Sequence, residues 1–203
     1  MMQVATLIGD VVASRESPDR AALQERLLAV LEELSGRHSG ELAVTLGDEF
    51  QGRYPTLTEA LAVSWELHVR CLPFARLRLG LGWGKILVES TGPGPFGQDG
   101  PAWWNARDAI EELAGTSHPS RTLVRTGTDW DELLNAYLTL RDSHLDDLDA
   151  TAGPTPAALP AAATPRATAD RLGLHESSVS RRVHRHRLAT LLDTSTPAVP
   201  GFG

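Results

Sequence analysis

Two aspartates in the first quarter of the chain could bind a metal ion. Asp10 ends an apolar run that begins at Val4, and Asp48 lies in the segment Leu46-Gly47-Asp48-Glu49-Phe50. Carboxylate oxygens are the ligands that Mg²⁺ and Mn²⁺ prefer, and two carboxylates at one site repel each other unless a cation bridges them. The alternative interpretation makes both aspartates ordinary turn formers, since each of them follows a glycine.

The two aspartates meet only if the chain folds with a suitable topology. The hydrophobic pattern predicts β-α-β-β-α-β followed by α-β-α, an α+β fold of the ferredoxin-like type. The predicted strands are Val4 to Ile8, Leu42 to Leu46, Glu49 to Tyr54, Arg76 to Gly84 and Arg121 to Arg125, and the helices begin near Ser17, Thr56, Ala102 and Thr128. Right-handed crossovers place the third strand between the first and the second, so the hairpin at Gly47-Asp48 lies beside the end of strand one.

Four segments, taken in order, resemble the SatD family. They are Leu7 to Arg15, Leu46 to Gly52, Leu79 to Gly84 and Gly100 to Ile110, and the match covers most of residues 3–125. The order and spacing of these segments also look like the palm domain of class III nucleotidyl cyclases. The tetrapeptide Gly47-Asp48-Glu49-Phe50 is similar to part of the diguanylate cyclase signature.

The cyclase resemblance implies a nucleotide site at two metal-binding aspartates, Asp10 and Asp48. It implies Mg²⁺ or Mn²⁺ as the cofactor and a nucleoside triphosphate as the ligand. The nucleotide-binding residues that it implies are Val11, Ser14, Arg15, Asn105 and Arg107. Class III cyclases place their Asn and Arg four apart on one helix face, whereas Asn105 and Arg107 are two apart, roughly 200° around a helix. Arg107 could pair with Glu111 instead. The departure leaves an active enzyme and a binding domain as alternatives.

A helix, a tight turn and a second helix are predicted near the C-terminus. The first helix begins at Thr164, Gly173 is the turn residue, and the second helix runs from Glu176 to Leu192. Ala169 and Val179 fall at the two contact positions of a helix-turn-helix, as in the module that SatD-like and sigma-factor-like proteins carry. The outward face holds Ser177, Ser178, Arg181, Arg182 and Arg185. Hydroxyl and guanidinium groups suit phosphates and base edges, so DNA is the predicted partner. The alternative is a basic helix that docks on the acidic domain.

Charge is distributed unevenly along the chain. The formal net charge is −7, yet residues 150–203 hold six arginines against three acidic residues, while residues 1–149 hold ten more acidic than basic residues. Such asymmetry indicates two modules, of which only the second is attracted to a polyanion. The Ala, Pro and Thr composition of 150–164 predicts a linker. We therefore expect a palm domain at 1–149, that linker, a helix-turn-helix at 165–195 and a tail at 196–203.

Other features of the composition limit the class of protein. Cys71 is the only cysteine, so neither an internal disulfide nor a cysteine-based zinc site is possible. The apolar runs are too short for a membrane span, and the first apolar run has no basic segment before it, which argues against a signal peptide. We expect a cytoplasmic protein with no membrane segment.

Three hypotheses about function follow. The leading one is a transcriptional regulator whose cyclase-like domain binds a metal-nucleotide or a similar anion and whose C-terminal module binds DNA, as a homodimer where two half-sites are read. The second is a working nucleotidyl cyclase or nucleotide phosphohydrolase that uses Asp10 and Asp48 for two metals. The third is an assembly scaffold that acts through Trp103-Trp104.

Overall fold

A five-stranded sheet forms the centre of the protein. The structure is a computed structural model that describes residues 2–89, 94–115, 120–148, 152–162, 164–194, 197, 199 and 201–202. The strands are β1 (Gln3–Val11), β2 (Glu41–Leu46), β3 (Glu49–Tyr54), β4 (Leu77–Lys85) and β5 (Thr122–Arg125), in the order β2-β3-β1-β4-β5. Only the β4–β5 pairing is parallel. The expected α+β fold is confirmed, and β3 lies between β1 and β2 as the crossover rule predicts.

Eight α-helices lie within the described residues. They are α1 (Arg20–Ser35), α2 (Leu57–Cys71), α3 (Pro101–Gly115), α4 (Trp130–Asp146), α5 (Thr155–Ala162), α6 (Pro165–Leu172), α7 (Glu176–Arg185) and α8 (Leu188–Thr194). Thr56 caps α2 by accepting a hydrogen bond from the Glu59 amide, as its sequence predicts. The first helix begins later than predicted, because Asp19 rather than Ser17 caps it. Across the described parts of the chain, no helix has both the length and the apolar character that crossing a membrane requires.

The two faces of the sheet are covered in different ways. Helices α1 and α2 pack their leucines against one face, whereas α3 lies almost directly on the backbone of β4 on the other. That face of β4 presents Gly80, Gly82 and Gly84. A Cβ atom at Gly82 would lie 2.0 Å from the Ala102 carbonyl oxygen, and one at Gly80 would lie 2.3 Å from the Ala106 oxygen. Glycine is therefore what allows α3 to approach β4.

Side chains of α4 close the free edge of β5. The Asn135 amide accepts a hydrogen bond from the Val124 N–H (2.8 Å) and donates one to the Val124 carbonyl (3.0 Å). Asp142 likewise accepts from the Arg121 N–H (2.8 Å). Unpaired backbone groups on an edge strand are a site for unwanted pairing, and here α4 satisfies them.

A buried polar network joins α2, β5 and α4. The Arg141 guanidinium donates to Asp142 (2.9 Å) and to the Thr122 hydroxyl (2.8 Å), and that hydroxyl lies 2.8 Å from Nε2 of His68. The Thr122 oxygen accepts from Arg141, so its own hydrogen can be donated to a neutral His68. Burial lowers the pKa of His68 to about 3, although the Asp142 charge acts in the opposite direction.

The segment predicted to be a linker contains a helix. Helix α5 covers most of its described part, and Leu159 is buried in one apolar cluster with Trp65 of α2 and Leu145 of α4. Alanine is the best helix former and proline is tolerated in the first turn, so this composition forms a short helix once an apolar surface is available. Residues 150, 151 and 163 of the predicted linker lie outside the described residues.

The end of the chain also packs on the rest of the molecule. The helix predicted from Glu176 to Leu192 is broken at Arg187, whose φ of 48° turns the chain into α8. Further on, the Leu57 N–H donates to the Phe202 carbonyl (3.0 Å), and the Phe202 ring meets Trp83 edge-on at 5.6 Å between centroids. Residues 196, 198, 200 and 203 of the predicted tail lie outside the described residues.

The contact between α3 and β4 gives a first testable prediction. Gly82→Ala is expected to lower the free energy of unfolding by about 1–3 kcal/mol, because its Cβ would push α3 away from the sheet. Gly115→Ala is the control, since a Cβ there meets nothing within 4 Å. Urea unfolding of both variants checks this, and equal free energies for the two would contradict it.

The buried histidine gives a second prediction, on pH. In the folded protein His68 stays neutral well below pH 6.5, whereas in the unfolded chain it binds a proton near that pH. The free energy of unfolding therefore keeps its full value above pH 6.5 and decreases as the pH falls below it. We expect stability to drop by about 2 kcal/mol between pH 7 and pH 5. His68→Gln should flatten that dependence in urea titrations. His184→Gln, at an exposed position, should leave it unchanged, and identical slopes for both variants would refute the assignment.

Candidate functional site

The end of β1 and the turn between β2 and β3 lie side by side. Antiparallel pairing of β1 with β3 continues as far as Gly9 opposite Phe50, so the turn falls just beyond the end of β1. Asp48 lies in this turn, and it lines the same cleft as Val11 and Ser14. The topology therefore brings the second predicted aspartate to the carboxyl end of the first strand.

Asp10 is held by an arginine on the neighbouring strand. The pairing of β1 with β4 sets Asp10 directly opposite Arg78. The Arg78 Nε donates to Oδ1 of Asp10 at 2.9 Å, and its terminal nitrogen donates to Oδ2 at 3.0 Å. Both carboxylate oxygens are thus engaged in a bidentate, charge-assisted pair. The sequence shows that Arg78 shares a face with the β4 glycines, but not the register that sets it opposite Asp10.

The turn contains a second acidic residue that the sequence analysis did not select. One residue beyond the last β1–β3 pair, the antiparallel register sets Glu49 opposite Asp10. The Glu49 carboxylate accepts hydrogen bonds from both terminal nitrogens of Arg107, at 3.2 and 3.3 Å. Asp48 is half-buried, and none of the hydrogen bonds described for the chain engages its carboxylate. Of these three acids, Asp48 alone has no described cationic partner.

The two α3 residues implied by the cyclase resemblance contact different strands. The Asn105 amide donates to the Trp83 carbonyl of β4 at 2.9 Å, while Arg107 reaches Glu49 on β3. The suggested pair of Arg107 with Glu111 is replaced by this contact across the sheet. The spacing of two residues has the effect predicted from helix geometry, because the two side chains leave α3 in different directions.

The segment after β1 forms one wall of the cleft. The Val12 N–H donates to the Arg76 carbonyl at 2.8 Å, so this amide is already engaged. Ser14 is buried and lines the cleft, whereas Arg15 is exposed. Arg20 and Gln24 of α1 also line the cleft, and the Gln24 amide lies 3.4 Å from the Gly47 carbonyl oxygen. No sequence pattern identifies these α1 residues, because their position depends on the angle at which the helix packs on the sheet.

The described side chains do not form a ready site for a divalent metal. Among the described residues, no group of three or more His, Cys, Asp or Glu side chains could hold a metal ion. Asp10 already has a guanidinium on both oxygens, which leaves Asp48 as the available carboxylate. The sulfur of Cys71 is no substitute, because burial raises the pKa of its thiol to about 12.

The adjacent tryptophans have separate environments. Trp103 is buried in an apolar cluster with Val4 and Ile8 of β1. Trp104 is half-exposed, and its indole N–H donates to Asp99 at 2.7 Å. Only Trp104 therefore presents an aromatic surface of the kind that the scaffold hypothesis requires.

Helices α6 and α7 pack around a glycine turn. Gly173 adopts a φ of 63°, and the Leu174 N–H beyond it donates to the Ala169 carbonyl at 2.9 Å, which ends α6 in a left-handed cap. Ala169 and Val179 are both buried. The small and β-branched residues therefore lie inside the module, as the spacing predicts.

The polar residues of α7 differ in their surroundings. Ser177, Arg181 and Arg185 are exposed, and Ser178 is partly so. Arg182 is partly buried, and its guanidinium lies 3.3 Å from the Thr155 hydroxyl of α5. The outward face of α7 thus carries mainly cationic side chains and hydroxyl groups.

Comparison with solved structures finds distant likenesses to cyclases. The chain is similar to a bacterial light-regulated adenylyl cyclase, with 15% identity and a TM-score of 0.44 over 61% of this chain and 75% of that one. The guanylyl cyclase domain of the RhoGC fusion protein from the aquatic fungus Blastocladiella emersonii gives 17% identity and a TM-score of 0.46, over 54% and 75% of the two chains. The guanylyl cyclase Cya2 gives 11% and 0.46, over 60% and 74%.

The sequence comparisons are more specific. No curated protein gives a significant match to the chain. Residues 4–143, which span all of the sheet except Gln3 together with α3 and most of α4, match the SatD family. Because this match covers more than half of the sequence, the chain belongs to the SatD family.

Proposed function

We propose that this SatD-family protein is a DNA-binding transcriptional regulator whose α/β domain binds a nucleotide-type anion. The observation that carries the proposal is the packing of α6 against α7. Ala169 and Val179 are buried between the helices, whereas Arg181 and Arg185 are exposed on the opposite side of α7. This is the arrangement that a helix-turn-helix uses to present its second helix to the major groove.

The helices that pack against α6 and α7 favour the same DNA-binding role. A helix-turn-helix normally packs on a further helix, and α5 supplies one immediately before α6. The cluster of Trp65, Leu145, Leu159 and Leu188 joins the module to α2 and α4. Arg182 also contacts α5 through the Thr155 hydroxyl. We therefore assign most of the DNA contacts to the other polar residues of α7.

The charge distribution favours the same partner. DNA would be attracted by the arginines of the C-terminal module and repelled by the acidic α/β domain, so the module would approach the duplex first. Arg181 and Arg185 lie four residues apart, one turn of α7, and point along the same side of the helix. Contacts of this kind are sensitive to salt because each one releases counterions from the phosphates.

The DNA proposal gives a third prediction. Wild-type protein should bind genomic DNA fragments at low salt, and the double variant Arg181→Ala/Arg185→Ala should bind them more weakly. The slope of the logarithm of affinity against the logarithm of salt concentration should fall by about 0.9 for each lost phosphate contact. Fluorescence anisotropy at several salt concentrations measures both quantities. Arg37→Ala/Arg53→Ala is the control, since it removes the same two charges from partly exposed side chains of the α/β domain. Failure of the wild type to bind any fragment would remove the DNA function.

The cleft beside the end of β1 is the proposed site for the phosphate end of the ligand, because its volume of about 20 Å³ leaves the rest of a nucleotide outside it. It combines the Ser14 hydroxyl, the Arg20 guanidinium and the Gln24 amide, which are suited to phosphate oxygens. The Asp48 carboxylate lies in the same cleft, so a triphosphate would bring Mg²⁺ or Mn²⁺ with it to offset that charge. Two-metal catalysis needs a second available carboxylate, and Asp10 is paired with Arg78. We therefore favour binding over cyclase or phosphohydrolase activity.

The ligand site gives a fourth prediction. Calorimetric titration with ATP and with GTP, each with Mg²⁺, with Mn²⁺ and with a chelator, should find a nucleotide that binds. Ser14→Ala or Arg20→Ala should weaken it by about tenfold, the loss of one hydrogen bond to a charged group. Arg37→Ala should leave affinity unchanged. Absence of binding under every condition would remove the ligand but not the DNA proposal. Conversion of the nucleotide that is lost in Asp48→Asn would favour the enzyme instead.

A further inference from the structure

Arg78 stands where a cation would otherwise neutralise Asp10. It is opposite Asp10 in the β1–β4 register, and the two side chains meet through two hydrogen bonds of 2.9 and 3.0 Å. The other residues on this face of β4 are glycines, over which α3 packs. Arg78 is therefore the one long side chain of this face, and it is directed at the acid that the cyclase resemblance assigns to a metal.

A guanidinium and a divalent cation compete for the same carboxylate. The planar fork of the Arg78 guanidinium engages both oxygens of Asp10, the geometry in which arginine binds carboxylates most strongly. Its charge also repels a second cation brought close to it. The pair is partly exposed, with 30% of the Arg78 side chain and 24% of the Asp10 side chain accessible, so solvent metal ions can reach it.

The neighbouring acids support this interpretation. Glu49, which the register sets beside Asp10, is paired with Arg107 in the same way. The acids at this end of the sheet are therefore matched one to one with arginines, apart from Asp48, which has no described cationic partner. An arrangement of this kind carries no local excess of negative charge at Asp10 to attract Mg²⁺ or Mn²⁺.

We infer that Arg78 is the resident counter-cation of Asp10 and that it suppresses divalent-metal binding there. Arg78 thereby sets the metal affinity of Asp10 itself, a carboxylate on the α3 side of the sheet that is not among the described residues lining the ligand cleft. The inference goes beyond the proposed function, because Asp10 and Arg78 lie outside the described lining of the ligand cleft. Its test uses a metal ion alone, so it can fail while nucleotide binding and DNA binding stand.

The test is a titration of the full chain with Mn²⁺, with free Mn²⁺ followed by electron paramagnetic resonance. Arg78→Met, which keeps side-chain length and removes the charge, should bind Mn²⁺ at least about tenfold more tightly than the wild type. That gain should vanish in Arg78→Met/Asp10→Asn. Arg78→Lys keeps the positive charge and should stay close to the wild type. Arg53→Met is the matched control, because the Arg53 side chain of β3 is equally exposed and pairs at 2.9 Å with Glu89, which follows β4 in the chain.

Two results would overturn the inference. One is that the wild type and Arg78→Met bind Mn²⁺ with equal affinity, while circular dichroism shows that both proteins are folded. The other is loss of wild-type Mn²⁺ binding in Asp10→Asn alone, because that loss would mean that Asp10 binds metal despite Arg78. The second measurement needs no Arg78 variant, so the inference stays testable even if Arg78→Met fails to fold.

Discussion

The close approach of α3 to β4 is the constraint on which the candidate site depends. Because Gly80 and Gly82 have no side chains, the backbone of α3 packs directly on the sheet. The polar side chains of α3 therefore extend to the sides of this contact. Asn105 then meets the Trp83 carbonyl, and Arg107 crosses toward Glu49 on β3. The Arg107 contact lies at the end of the sheet where β1 finishes, whereas the Asn105 contact lies near the start of β1, because Trp83 pairs with Ala5.

Local patterns were enough to predict most of the elements. Strand alternation predicted β4, and the crossover rule predicted that β3 lies between β1 and β2. The spacing of Ala169, Gly173 and Val179 predicted the packing of α6 on α7. Each of these inferences uses residues close in sequence or a general rule of chain handedness, so no information about distant contacts was needed.

Contacts between distant segments were not predictable in the same way. Alanine and proline alone do not show that α5 has an apolar surface to bury, since Trp65 and Leu145 are remote in sequence. The pairing of Asp10 with Arg78 depends on the exact register between two strands, where a shift of one residue would reverse the face of every side chain. Chain topology predicted that Asp10 and the turn holding Asp48 lie at the same end of the sheet, but not that arginines pair with Asp10 and Glu49.

Helix α2 packs against both the core beneath the sheet and the cluster formed with the C-terminal helices. Leu61 and Leu67 are buried in the core beneath the sheet, while Trp65 belongs to the cluster with α5 and α8. A helix packed on both sides cannot shift against one neighbour without disturbing the other, because packed interiors have little free space. The ligand cleft borders α1, and the Arg70 guanidinium of α2 lies 2.9 Å from Glu33 of α1. One series of contacts from that cleft to the C-terminal helices therefore runs through α1 and α2.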